Sequence, residues 1–252
     1  MSGHSKWSTI KRKKGAEDAK RGKIFTRLAR DIMQCAREGG GDENTNAKLK
    51  LSIQKAKAEN MPKDNIDRAI ARGIGKLGDG ESLDEIVYEG YGPEGVAILV
   101  ETLTDNKNRA LADIKRVFNR AGGAMASAGS VQWQFEQRGQ ITLAGEGLDF
   151  DEVFMVAAEA GAEDVVVDEE GTITVSTPRD MLFAVEEALR AASYEIDDAL
   201  LHWEAKNESE VEIEKALTNL RLMSELEELD DVQSVASNLQ ITDEIIAAFE
   251  TA

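Results

Sequence analysis

QITLAGEGLDFDEVFMVAAEAGAEDVVVDEEGTITVSTPRDMLFAVEEALRAASYEIDDALLHW, residues 140–203, decides the fold of this chain. Ile141 to Leu143 reads as a strand and Phe150 to Ala160 as a helix. Val165 to Val167 and Thr172 to Val175 form a hairpin around Glu169-Glu170-Gly171. Met181 to Ala192 is a second helix, and Tyr194 to Trp203 a last strand. The order β-α-β-β-α-β is the ferredoxin-like one, an antiparallel sheet with two helices on one face.

The flanks of this stretch carry a matching set of elements. Upstream, Ile86 to Glu89 and Val96 to Leu103 read as strands joined by a Gly- and Pro-rich turn at 90–95. A helix over Asn108 to Ala121 follows, carrying Leu111, Ile114, Val117 and Phe118, and Gly122-Gly123 stops it. Ser127 to Ser130 is a small-residue loop leading into 131–135. Downstream come a helix over Val211 to Leu229, a short strand at Val232 to Ala236 and a helical turn at Asp243 to Phe249. Strand, strand and helix before the stretch, with helix and strand after it, add up to a second ferredoxin-like domain into which the first is inserted.

The N-terminal segment is helical instead. Lys23 to Arg37 places Ile24, Leu28, Ile32 and Cys35 on one face, with Lys20, Lys23, Arg27, Arg30 and Arg37 in a stripe beside it. Gly39-Gly40-Gly41 ends that helix. A second covers Asn46 to Glu59 with Leu49, Ile53 and Ala56 inward, and a third starts at Pro62 with Ile66 and Ile70 inward. Gly73, Gly75, Gly78 and Gly80 mark a linker. The expected architecture is α+β: a basic three-helix domain over 1–76, a discontinuous α/β domain over 81–130 plus 207–252, and a ferredoxin-like domain over 131–206.

Charge divides the chain in the same place. Residues 1–76 hold 19 Lys and Arg against 9 Asp and Glu, a net of +10, whereas residues 77–252 hold 11 against 39, a net of −28. A concentrated basic surface attracts phosphate whatever hangs behind it, and the acidic remainder repels polyanions. A polyanionic partner is therefore expected at one end of the molecule.

Length and composition set the class. With 252 residues and 42% apolar content, the chain can bury cores in two or three domains. No apolar run approaches the roughly 20 residues of a membrane span. Met1 to Lys14 is basic without an apolar centre, unlike a secretory signal. The single cysteine, Cys35, excludes an internal disulfide and fits a reducing compartment. A cytoplasmic protein with no membrane partner is expected, with a monomer favoured.

Catalytic chemistry finds no constellation. His4 lies in the tail and His202 on a strand among apolar residues, and general acid–base work needs an orienting partner. One Cys and two separated His give no zinc spacing, so neither metal nor cofactor is expected. Gly73-Ile74-Gly75-Lys76 lacks the P-loop spacing and follows no strand, and Gly39-Gly40-Gly41 runs into Asp42 and Glu43. Asp168-Glu169-Glu170 and Asp230-Asp231 read as exposed loop acids.

The basic segment carries the functional expectation. From residue 1 to 37 there are 11 basic and 3 acidic residues, too biased for an ordinary solvated helix face. The candidate phosphate contacts are Lys6, Lys11, Arg12, Lys13, Lys14, Lys20, Arg21, Lys23, Arg27 and Arg30, with Trp7 as a base-stacking candidate. Nothing here reads base sequence, and the candidate strands lack the aromatic run of an RNA-recognition sheet.

Several strings resemble the YebC family. They are Met1-Ser2-Gly3-His4-Ser5-Lys6-Trp7, Asp18-Ala19-Lys20-Arg21-Gly22-Lys23-Ile24-Phe25, Gly39-Gly40-Gly41-Asp42 and Asn65-Ile66-Asp67-Arg68-Ala69-Ile70. Others are Tyr88-Glu89-Gly90-Tyr91-Gly92-Pro93, Thr104-Asp105-Asn106-Lys107-Asn108-Arg109, Gly129-Ser130-Val131, Glu159-Ala160-Gly161-Ala162-Glu163-Asp164 and Asp230-Asp231-Val232-Gln233. Gly122-Gly123-Ala124-Met125-Ala126 departs from the family's Gly-Gly-Asn-Leu-Gly, so that loop's Asn has no counterpart here. The resemblance implies three domains, a bacterial cytoplasmic location and no enzymatic activity. It also implies a regulator of gene expression, either a DNA-binding transcriptional regulator or a ribosome-associated translation factor. The mitochondrial relatives resemble translational activators of cytochrome c oxidase. Nucleic acid, as DNA or ribosomal RNA, is the expected partner, and the ribosome a further one. A protein-interaction adaptor whose acidic domains bind a basic partner is the alternative.

Overall fold

The computed structural model describes Trp7 and residues 18–76, 83–143, 147–168 and 171–250, with side chains left out at 18–22 and 250. Residues 18–76 form three helices: α1 (Asp18–Gly39), α2 (Ala47–Ala58) and α3 (Lys63–Gly73). Leu28, Ile32 and Cys35 of α1 meet Leu49, Ile53 and Ala56 of α2 and Ile66 and Ala69 of α3 in one apolar core. Asn46 fixes the turn between the first two helices. Its Oδ1 accepts from Leu49 N as an N-cap at 3.1 Å, while its Nδ2 donates to Cys35 O and Gly40 O, both at 2.8 Å. Pro62 stands one residue before α3 and sets its entry without offering an N–H. Gly78 and Gly80 of the expected linker lie outside the described residues.

The first sheet is built by β1 (Asp84–Tyr91), β2 (Ala97–Thr104), β3 (Ala124–Ala126) and β8 (Val232–Ser237), in the spatial order β3-β1-β2-β8. All three pairings are antiparallel. Helix α4 (Lys107–Arg120) carries the chain from β2 across β1 to β3, and α7 (Ile213–Glu227) delivers it to β8. Every residue of β2 except Glu101 is buried, because both of its faces are covered. Ile98 and Val100 face α4 and α7 among Ile114, Phe118, Leu220 and Met223. Ala97 and Leu99 face the other way, toward Val131, Phe135 and Ala236.

Between β3 and α7 the chain builds a second sheet. It consists of β4 (Phe135–Leu143), β5 (Asp164–Val167), β6 (Ile173–Pro178) and β7 (Asp198–Ala205), in the order β5-β6-β4-β7. Helices α5 (Phe150–Glu159) and α6 (Leu182–Ala191) pack on it through Val153, Ala157, Leu182, Val185 and Leu189. This is the ferredoxin-like arrangement, inserted within the first α/β unit as expected. A last helix, α8 (Asp243–Glu250), returns Ile245 and Phe249 to the first unit's core.

Two local expectations need correction, and one strand has no signature in the sequence. The strand expected to end at Leu143 begins at Phe135 and pairs along β7 and β6. The strand expected from Tyr194 starts at Asp198. Residues 192–194 finish α6 instead: Ser193 takes a left-handed φ of 70° while its N donates to Arg190 O at 2.9 Å, and Tyr194 N donates to Leu189 O at 3.1 Å. Strand β3 is set by its partner and not by its own residues, since Ala124 and Ala126 carry little strand preference and pairing with β1 creates it.

Candidate nucleic-acid interface

The basic stripe of α1 does not face open solvent along its whole length. Its middle part, Lys23 to Arg30, lies against the C-terminal end of α7 and the turn after it. Arg27 Nη2 donates to Glu227 O at 2.5 Å, Lys23 Nζ to Glu228 O at 3.2 Å and Arg30 Nη1 to Asp230 O at 2.9 Å. The last carbonyls of a helix have no partner within it and carry partial negative charge, so cations from another element satisfy them well. Burial pulls the Arg27 guanidinium below its usual value, opposed by the nearby Glu227 and Asp230 carboxylates.

Asp231 ties this contact together. Its Oδ1 accepts from Arg30 Nη1 at 2.8 Å and from Arg109 Nη2 at 2.9 Å, and its Oδ2 accepts from Arg109 Nε at 3.1 Å. Arg109 also reaches Asp105 Oδ1 at 2.6 Å, so four charged groups from three segments interlock. Donating to Asp105 first and to Asp231 second raises Arg109 above its usual value, and accepting that bond from Arg109 lowers Asp105. A cavity of about 190 Å³ remains beside the cluster, lined by Lys23, Arg109, Asp113 and the 228–232 turn.

Trp7, expected as a stacking platform, is 4% exposed. Its ring meets Phe249 edge-on at 6.4 Å and its Nε1 donates to Glu227 Oε1 at 3.1 Å. The structure therefore brings together Trp7, Lys23, Arg27 and Arg30 from the expected set, and directs all four at the first α/β unit. Lys20 and Arg21 belong to the first turns of α1. Lys6, Lys11, Arg12, Lys13 and Lys14 lie outside the described residues.

The helical domain has cations on its other helices that the candidate set omitted. Lys50, Lys55 and Lys57 on α2 and Lys63, Arg68 and Arg72 on α3 are exposed. Their signal was present in the sequence, as eight Lys and Arg against three acids over residues 46–76, but the sharper bias of the first 37 residues obscured it. Helix α2 also meets the inserted unit, where Arg190 Nη2 donates to Gln54 Oε1 at 3.2 Å.

His202 is buried on β7. Cys35 is buried in the helical core, where burial first and Asp31 second push its thiol up to about 11. Among the described residues no group of three His, Cys, Asp or Glu converges on a point where a metal could sit. Also among them, no helix is long and apolar enough to cross a membrane.

Fold and site together define a multidomain α+β protein: a basic helical module fastened by charge to an acidic pair of interlocked sheets. The chain belongs to the TACO1/YebC family. The family described as TACO1/YebC protein N-terminal domain matches residues 5–76, and that described as TACO1/YebC second and third domain matches residues 83–239. It is 52% identical over 247 residues to a "probable transcriptional regulatory protein" of Desulfotalea psychrophila, covering 98% of each chain. A protein of Chloroflexus aggregans with the same description is 49% identical over 254 residues and covers 100% of each. A crystal structure of a conserved hypothetical protein from Aquifex aeolicus superposes with a TM-score of 0.83 at 38% identity, covering 90% of this chain and 93% of that one.

Proposed function

We propose that this protein is a non-enzymatic, cytoplasmic regulator of gene expression that binds nucleic acid through its basic N-terminal module. The observation that carries this is the charge partition, +10 over residues 1–76 against −28 over the rest. The names of the relatives, as probable transcriptional regulators, agree with it. Lys6, Lys11, Arg12, Lys13, Lys14, Lys20 and Arg21 hold phosphate. Lys23, Arg27 and Arg30 share in that surface only where their bonds to residues 227–231 leave them free, and Trp7 is packed on the first α/β unit.

Between duplex DNA and folded ribosomal RNA, the RNA is favoured. A major-groove reader needs a helix that offers base-reading side chains, usually repeated by dimer symmetry. Here the stripe of α1 faces the protein's own α7, and the remaining cations are Lys and Arg without an Asn or Gln pair beside them. Phosphate contact of this kind is salt-sensitive and indifferent to sequence. Competition at near-physiological salt tests it: the full chain should co-sediment with ribosomes and be released by salt. A promoter fragment that retains the protein against excess ribosomes restores a DNA-directed role, and failure to bind either nucleic acid overturns the whole proposal.

A further inference from the structure

Trp133 is 67% exposed, the most exposed of the large apolar side chains among the described residues. It is also held in place with unusual thoroughness. The loop before it is fastened to Glu89, a carboxylate of β1 that is only 3% exposed. Gly129 N donates to Glu89 Oε1 at 2.5 Å, and Val131 N and Gln132 N donate to Oε2 at 2.6 and 3.0 Å. The indole Nε1 itself donates to Ser130 O at 3.0 Å, and Tyr91 Oη donates to the same carbonyl at 3.2 Å. On the far side Lys206 donates twice, from its backbone N to Gln134 O at 2.8 Å and from Nζ to Trp133 O at 2.9 Å.

A buried carboxylate is costly unless it is well bonded, and here its bonds serve a surface loop. Rigid, exposed tryptophans are the side chains that anchor interfaces, since little entropy is lost when a partner covers them. With its N–H already bonded internally, this indole offers only its faces. A ring face accepts either a cation or another flat ring.

Charge chooses between them. From Lys206 the chain runs directly through Glu208, Glu210, Glu212 and Glu214, all exposed, with the exposed Ile213 among them. These acids lie in a segment of the chain whose net charge over residues 77–252 is −28, which repels a nucleic-acid strand and attracts a basic one. We infer that the Trp133 loop and the 208–214 run form a docking surface for a basic, arginine-bearing polypeptide, with a guanidinium over the indole and neighbouring cations along the glutamates. Arginine fits better than lysine because its flat, weakly hydrated head group stacks on an aromatic face. This surface is separate from the basic module and stands whether or not that module binds nucleic acid.

The test uses the full chain, a fluorescent nine-residue oligo-arginine peptide, its oligo-lysine counterpart and a single-stranded RNA oligonucleotide. Oligo-arginine should bind more tightly than oligo-lysine and quench tryptophan emission. Trp133→Ala should raise the Kd for oligo-arginine by roughly threefold to tenfold and erase the preference over oligo-lysine, as expected for loss of one cation–π contact. Because the ring is exposed, circular dichroism of this variant should match that of the parent. Joint Glu208→Gln and Glu210→Gln replacement should weaken both peptides equally. Unchanged oligo-arginine affinity in Trp133→Ala overturns the proposal, as does quenching by RNA that Trp133→Ala abolishes, which would make the loop a base-stacking platform.

Discussion

Arg30 on the first helix and Asp231, two hundred residues later, meet at 2.8 Å, and Asp231 Oδ1 accepts a second bond from Arg109 at 2.9 Å. The Asp231 side chain is 7% exposed, whereas Arg30 and Arg109 are 20% and 44% exposed. One carboxylate thus joins the helical module to the first α/β unit. Asp231→Asn removes the charge with little change in shape. Because both arginines keep some solvent, a loss of about 2–3 kcal/mol in chemical denaturation is expected. Faster amide exchange along α1 should accompany it, marking release of the module; unchanged exchange would show that the carbonyl contacts at 227–230 suffice.

Glu89 gives a pH-dependent prediction. Burial alone would raise its carboxyl, but backbone N–H donors from Val131, Gly129, Gln132 and Ser130 together hold it below its ordinary value. A lowered folded value means that its stabilisation is complete above the usual carboxylate range, about 4.3, and is lost as the pH falls through the folded value. Glu89→Gln should therefore cost about 2–4 kcal/mol at neutral pH. The gap from the parent should narrow on acidification toward pH 3, measured by urea denaturation. A gap that stays constant with pH would mean the charge does not matter.

Cys35 should be inert while the helical core is closed. With its thiol pushed up to about 11 and buried, alkylation by iodoacetamide at pH 8 should proceed only as fast as the module opens. Asp231→Asn should speed labelling if undocking loosens the module, and rapid labelling of the parent would contradict the closed core.

Much of this fold was legible because its apolar spacing is regular. Leu28, Ile32 and Cys35 on α1 are buried as a helical period demands, and the 140–203 stretch switches cleanly between the two periods. Strand β3 was hidden because Ala124 and Ala126 acquire strand geometry only from β1. At the site, the sequence shows that Lys23, Arg27 and Arg30 form a stripe, but a stripe aimed at phosphate and one aimed at helix carbonyls look alike. The carbonyls at 227–230 are two hundred residues away and belong to the backbone, which no residue pattern marks. Glu89 lies within the family-like string 88–93, yet nothing in an alternating strand says that its carboxylate points inward to a loop.

The last prediction separates the two jobs now assigned to the basic segment. Lys11, Arg12, Lys13 and Lys14 are proposed to hold phosphate, whereas Arg27 and Arg30 are bonded to Glu227 O, Asp230 O and Asp231. Reversing the four arm residues to Glu should weaken binding to unrelated nucleic-acid sequences about equally. It should also flatten the salt dependence by about 0.9 in slope for each lost duplex contact. Folding stability should change little, within about 0.5 kcal/mol, as surface substitutions usually do. Replacing Arg27 and Arg30 by Gln should do the reverse. Glu227 O and Asp231 would lose charged donors, so stability should fall by about 2–3 kcal/mol, while the salt slope stays near that of the parent. Fluorescence anisotropy across a salt series and urea denaturation, run on the same preparations, give both readouts. If the Arg27 and Arg30 replacements flatten the salt slope as strongly as the arm reversal does, these residues leave α7 to bind phosphate. The contact seen here would then be the unbound arrangement of a module that moves on binding.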